Sequence, residues 1–70
     1  MPKKVRELKK MLKKAEFQEV KGKGSHTNWI HPKYAGKVTL SGKDSDDAKR
    51  YQEKEVLEAI RIVEQNDGES

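Results

Sequence analysis

The sequence predicts an α+β fold of element order α-β-β-β-α, in which an antiparallel three-stranded sheet carries two helices on one face. Three observations predict it. Apolar residues recur at three- and four-residue steps near both ends of the chain, the pattern of two amphipathic helices. Between them lie three short runs containing β-branched and aromatic residues, separated by glycine- and proline-bearing turns. The chain has 70 residues and no cysteine, so residues 1–70 are expected to form one small domain stabilised by packing alone.

The first helix is expected over residues 4–15. Val5, Leu8, Met11, Leu12 and Ala15 form its apolar stripe, and lysines and Arg6 take the other positions. Positive charge near its start opposes the helix dipole, although Leu, Lys and Ala are good helix formers. Residues 17–21 read as a short strand, and Gly22-Lys23-Gly24 as the turn after it. A second strand is expected over residues 25–31, stopped by Pro32, and residues 32–36 read as a loop. Residues 37–41 alternate as a third strand with Val38 and Leu40 inward, followed by a polar loop over residues 42–47. The second helix is expected over roughly 50–65, with Val56, Ile60 and Val63 on its stripe and Leu57 and Ala59 widening it. Asp46 and Asp47 lie just before it, where carboxylates favour a helix start, and Asn66-Asp67-Gly68 reads as its stop. The ordered core is expected to span about residues 3–65. Short connections make the three strands an antiparallel meander. This layout is that of a double-stranded-RNA-binding-like fold, with one sheet face left open.

Composition narrows the function. Charged residues make up 40% of the chain and mean hydropathy is −1.14, and no run approaches the ~18 apolar residues that span a membrane. Met1-Pro2-Lys3-Lys4 leads into charge rather than an apolar segment, so a secretory leader is not expected and the cytoplasm is the default location. Through Lys43 the chain holds 12 basic and 3 acidic residues, net +9, and the remainder holds 4 and 9, net −5. A basic front on so small a domain suits a polyanion such as RNA, although solubilising charge gives the same count.

Two histidines carry the acid–base options. His26 and His31 are five apart, which puts them on opposite faces of a regular strand and argues against a paired-histidine or metal site, unless a bulge intervenes. His26 follows Gly22-Lys23-Gly24-Ser25, where glycines let a backbone approach phosphate and Lys21 and Lys23 add positive charge. A histidine exchanges protons near neutral pH, so one held beside a phosphodiester can assist attack by a ribose 2′-hydroxyl or protonate the leaving oxygen. A plain β-turn followed by a packed or solvated histidine fits the same residues. No metal ligand set is expected. The Asp44-Ser45-Asp46-Asp47 patch reads as a weak divalent-ion site or as a solvated helix-start loop. Trp29 fits the core, or less well a base-stacking platform, and Tyr34 fits either base stacking or cover for the core edge.

Phe17, Lys21 and Gly24-Ser25-His26, set in a basic α-β-β-β-α chain of this length, resemble the HicA toxin family of mRNA interferases from type II toxin–antitoxin systems. Gly42-Lys43-Asp44, Asp46-Asp47-Ala48, Tyr51-Gln52 and Val56 resemble one branch of it. The resemblance implies a ribonuclease that cuts mRNA without a metal or small-molecule cofactor. His26 would be catalytic, Gly24 and Ser25 would present it, and a HicB-type antitoxin would cover the site. With the charge reading, the expected RNA-binding residues are Lys10, Lys14, Lys21, Lys23, Gly24, Ser25 and Tyr34. Lys21 stands where many relatives carry arginine, which turns a bidentate phosphate contact into a point charge. The stretch after the third strand lacks the family's histidine-containing segment and has the Asp-rich loop instead. The alternative is a non-catalytic module of the same fold that binds RNA or an antitoxin.

Overall fold

The computed structural model describes residues 2–67. The order is α1 (Val5–Lys14), β1 (Gln18–Lys21), β2 (Thr27–His31), β3 (Tyr34–Leu40) and α2 (Arg50–Asp67). The strands pair antiparallel in the order β1-β2-β3, which makes an open sheet with β1 and β3 at its edges. Both helices lie on one face. Val5, Leu8 and Leu12 of α1 meet Trp29, Val38 and Leu40 of the sheet and Val56, Ala59 and Val63 of α2 in one core. Trp29 is its largest side chain and is fully buried, and its indole N–H donates to Thr27 Oγ1 at 3.0 Å. That bond satisfies the polar edge of a ring whose burial would otherwise strand a donor.

The α2 stripe differs from the sequence expectation. Gln52, Val56, Ala59 and Val63 are buried, Ile60 is half-buried, and Leu57 is 52% exposed. Positions 52, 56, 59 and 63 share one line along the helix, and Leu57 lies about 100° around from Val56, facing water. The expected stop at residues 66–68 falls partly outside the described residues: α2 continues through Asn66 to Asp67, and Gly68 lies outside them.

Both ends of α1 are tied down. At its C-terminus Glu16 takes a left-handed φ of 70°, the Glu16 N–H donates to Lys13 O and the Phe17 N–H donates to Leu12 O, each at 2.9 Å. This is a Schellman closure, and it places Phe17 in the core before β1 rather than inside a strand. At the N-terminus the loop after β3 crosses the helix. The Val5 N–H donates to Asp46 O at 2.9 Å and the Arg6 N–H to Asp44 O at 3.2 Å, and Lys4 bridges to Asp47. Asp46 and Asp47 therefore serve the start of α1 rather than that of α2. Their loop fills orphan N–H groups and brings carboxylates to the positive end of the dipole, which resolves the conflict posed by the lysine-rich first turn.

Two further boundaries move. β2 begins at Thr27, so Ser25 and His26 belong to the turn before it. Residues 32–36 are not a loop. Pro32 and Lys33 make a tight turn in which the Lys33 N–H donates to His31 Nδ1 at 3.0 Å, and Tyr34 already pairs with His31 in β3. The register shifts between Trp29 and His31, and Gly36, with φ 86°, supplies the backbone that lets β3 bulge there.

Candidate nucleic-acid site

The site is a hairpin end. β1 and β2 pair from Gln18–Ile30 to Lys21–Thr27, and the ladder continues into the turn. The Gly22 N–H donates to the His26 carbonyl at 3.1 Å, and the His26 N–H donates to the Lys23 carbonyl at 2.9 Å. Gly24 sits at the tip with φ 58°, a conformation that glycine adopts without penalty. Gly22 is required for a different reason. A Cβ there would meet the His26 carbonyl O at 3.1 Å, and His26 Cβ and Asn28 Nδ2 at 3.3 Å each. The two strands are thus pressed together at His26, and no side chain intervenes.

Those contacts also fix the face. Along β2, Thr27 and Trp29 are buried toward the helices and His31 is half-buried there, its ring 5.1 Å from that of Phe17. Asn28 points the other way and accepts the Thr39 hydroxyl at 2.8 Å. His26 Cβ crowds the same side of Gly22 as the Asn28 amide, so His26 stands on the open face with Asn28, and the two histidines are on opposite faces. The bulge falls in β3 and leaves the alternation of β2 intact. His26 is exposed, as are Lys21, Lys23, Gly24 and Ser25, and all five meet at this one end of the sheet. The open face nearby is partly apolar, with Val20 and Ile30 both exposed.

Other expected site residues lie elsewhere. Tyr34 is at the far end of β3, roughly 15 Å or more along the strand from the position opposite Thr27. It is half-buried, with its ring 5.9 Å from that of Phe17, so it covers the core edge. Lys14 is on the last turn of α1, beside the same far end. Lys10 lines a concavity on the outer face of α1 together with Arg6, Glu7, Lys9 and Lys13. The end of α1 nearer the turn is its N-terminus, where Val5 approaches Gly42. Gly42 in turn reaches the site, its N–H donating to Ser25 Oγ at 3.4 Å. Gly42 is not among the site residues that the sequence singles out, and its proximity arises from the chain crossing after β3, a long-range contact with no local signal.

The Asp-rich loop has its carboxylates engaged. Asp44 Oδ1 pairs with Lys9 Nζ at 2.7 Å, Asp47 Oδ1 with Lys4 Nζ at 2.6 Å, and Asp46 Oδ2 accepts the Lys43 N–H at 2.9 Å. The hydrogen-bonded Lys9 ammonium, with Arg6 and Lys13 near it, holds the Asp44 carboxyl below its ordinary range. The three carboxylates do not converge. Among the described residues no group of three or more His, Asp or Glu side chains is arranged to hold a metal ion. No helix among the described residues is long and apolar enough to cross a membrane.

A family model described as the HicA toxin of bacterial toxin–antitoxin matches residues 5–62, from the start of α1 to well into α2. The match contains the whole hairpin, the Asp-rich loop and the residues that connect them. No curated protein and no solved structure matches the chain.

Proposed function

We propose that this chain, which belongs to the HicA toxin family, is a metal-independent endoribonuclease that cuts mRNA in the cytoplasm and is neutralised by a HicB-type antitoxin. His26 is its catalytic group. The observation that carries this reading is the exposed His26 on a glycine-built turn, flanked by Lys21 and Lys23. A phosphodiester laid against the turn meets two ammonium groups, the Ser25 hydroxyl and backbone that no Cβ shields at Gly24. In the reaction the ribose 2′-oxygen attacks phosphorus and the 5′-oxygen leaves, giving a 2′,3′-cyclic phosphate and a 5′-hydroxyl. His26 takes the 2′ proton or donates one to the departing oxygen. Solvent water exchanges the other proton, so the net transfer is one proton from the 2′-hydroxyl to the departing 5′-oxygen. The antitoxin is a protein that covers the same turn.

His26→Ala tests the reading. General acid–base catalysis contributes about 10²–10⁴-fold, so the variant should lose RNA cleavage on a gel, and it should lose toxicity. Because His26 is exposed, its melting temperature should stay close to that of the parent. Cleavage by the parent protein should persist in EDTA. His31→Ala keeps the His26 turn intact and should still cut, with some loss of stability where the ring leaves Phe17. A folded His26→Ala protein that degrades RNA at the parental rate removes His26 from the mechanism. RNA binding by the parent with no cleavage selects the non-catalytic module.

A further inference from the structure

Gln52 is 2% exposed and sits in the buried stripe of α2 among Val56, Ala59 and Val63. Burying an amide in such a stripe is unfavourable unless its hydrogen bonds are met, and an aliphatic residue would fill the space without that demand. Both ends of this amide are engaged. Oε1 accepts the Lys49 backbone N–H at 3.0 Å, and Lys49 O accepts the Gln52 N–H at 3.0 Å. A backbone N–H can only donate, so this contact sets which end of the amide is oxygen. Nε2 then points at Ser41, donating to its carbonyl at 3.2 Å and lying 3.3 Å from its hydroxyl. Capping α2 needs only the Oε1 contact. The two Nε2 contacts reach out of the helix to the end of β3.

That end adjoins the site. Leu40 pairs with Thr27, Ser41 follows Leu40, and His26 precedes Thr27. Extending the ladder by one step sets Ser41 beside His26. One residue further, the Gly42 N–H donates to Ser25 Oγ at 3.4 Å. Beyond Ser41 the chain turns away into the loop that caps α1. Ser41 is therefore where β3 leaves the sheet, and a strand end released at that point has no further ladder to hold it against the turn.

We infer that Gln52 is a positioning residue for the His26 turn: its grip on Ser41 holds the end of β3 against Ser25 and His26 and so sets where the imidazole meets the phosphate. This rests on the ribonuclease reading of His26 and adds a residue on α2 to it.

Gln52→Glu separates the two jobs of the side chain. It keeps an acceptor for the Lys49 N–H at a helix N-terminus, where negative charge is favourable, and it removes the donor to Ser41. The expected result is a fall of about tenfold in kcat with KM within about twofold, since misplacing a reacting group by about 1 Å costs up to 10²-fold. The backbone amide signals of Ser25, His26 and Gly42 should shift in the proton–nitrogen spectrum of the uncomplexed variant. Combined with Ser25→Ala, the losses in kcat should be less than additive, as for residues acting along one path. A folded Gln52→Glu protein with parental kcat and unshifted signals at 25, 26 and 42 overturns the inference. Should that variant not fold, Ser41→Ala removes one of the Nε2 contacts without touching the cap, and a loss of about threefold in kcat is expected; no loss overturns the inference. A parent protein that leaves RNA intact overturns the ribonuclease reading instead, and the amide signals then decide the positioning role.

Discussion

Gly22→Ala asks how tightly the histidine turn is built. Gly22 does not have a left-handed φ, so alanine brings no backbone penalty, and the effect must come from space. The new methyl group meets three atoms at once: the His26 carbonyl O at 3.1 Å, and His26 Cβ and Asn28 Nδ2 at 3.3 Å. The first two belong to a turn closed by backbone hydrogen bonds, and the Asn28 amide is held by Thr39, so none of the three withdraws freely. Overpacking of this kind costs about 1–3 kcal/mol. Alanine recovers about 0.4–1 kcal/mol by restricting the unfolded chain. The net loss is about 1.3 kcal/mol at mid-range, or roughly 5–10 °C in Tm for a domain of this size. The atoms that must move belong to the proposed catalytic residue, so RNA cleavage well below Tm should fall by about tenfold or more. Gly36→Ala is the control. Its φ of 86° makes alanine strained by about 1–2 kcal/mol, yet nothing lies within 4 Å of the new methyl and the site is at the other end of the sheet. It should lose a similar amount of stability and keep its cleavage rate. Thermal melts and a fluorescent RNA substrate measure both quantities. A Gly22→Ala protein with parental Tm and rate, or equal loss of activity in both variants, refutes the reasoning.

Two more outcomes are expected. Asp44→Asn should lower Tm at neutral pH. Because Lys9 lowers the folded-state pKa of Asp44, its contribution is present above the ordinary aspartate range (about 4) and fades as pH falls through the lower folded value, so the two melting curves should converge in acid; a gap that persists at the acid end removes Lys9 from the explanation. Lys23→Gln should weaken RNA binding and flatten its salt dependence by about one unit of slope, whereas Lys14→Gln, at the far end of α1, should leave the slope unchanged; equal effects at both positions would mean that RNA runs the length of the helix.

What the sequence revealed follows from which contacts are local. The hairpin was legible because Gly22-Lys23-Gly24 lies between two short β-like runs and its hydrogen bonds span at most four residues. The opposite faces of His26 and His31 followed from strand parity, and the structure keeps that parity because the bulge is in the partner strand. Leu57 was misread because periodicity admits neighbours on either side of Val56, and only packing decides that the stripe runs through Gln52 instead. Gln52 itself carried no signal as a core residue, since a polar side chain enters a core only where partners wait, and Ser41 is 11 positions away. Pro32 ends a strand and so points to a loop at Tyr34, but the turn that follows spans just two residues and is closed by a histidine nitrogen. The Asp-rich loop was the largest misreading. A local view gives Asp46 and Asp47 to the helix they precede, whereas the ion pairs of this loop join residues 35 and 43 positions apart.

That loop also changes how the charge asymmetry should be weighed. The net +9 of the front segment invites the view that all of it faces RNA. Lys4 and Lys9 are instead paired with Asp47 and Asp44, and these pairs strap the loop across the start of α1. Part of the basic front and part of the acidic back thus neutralise each other at the surface. The same strap brings Gly42 to Ser25 and leaves Gln52 able to reach Ser41. This chain has a bracket that runs from α1 through the loop to the His26 turn. Loosening the bracket should therefore reach His26 from two sides, through the N-terminus of α1 and through α2. Strengthening it should raise stability without altering which groups face the RNA.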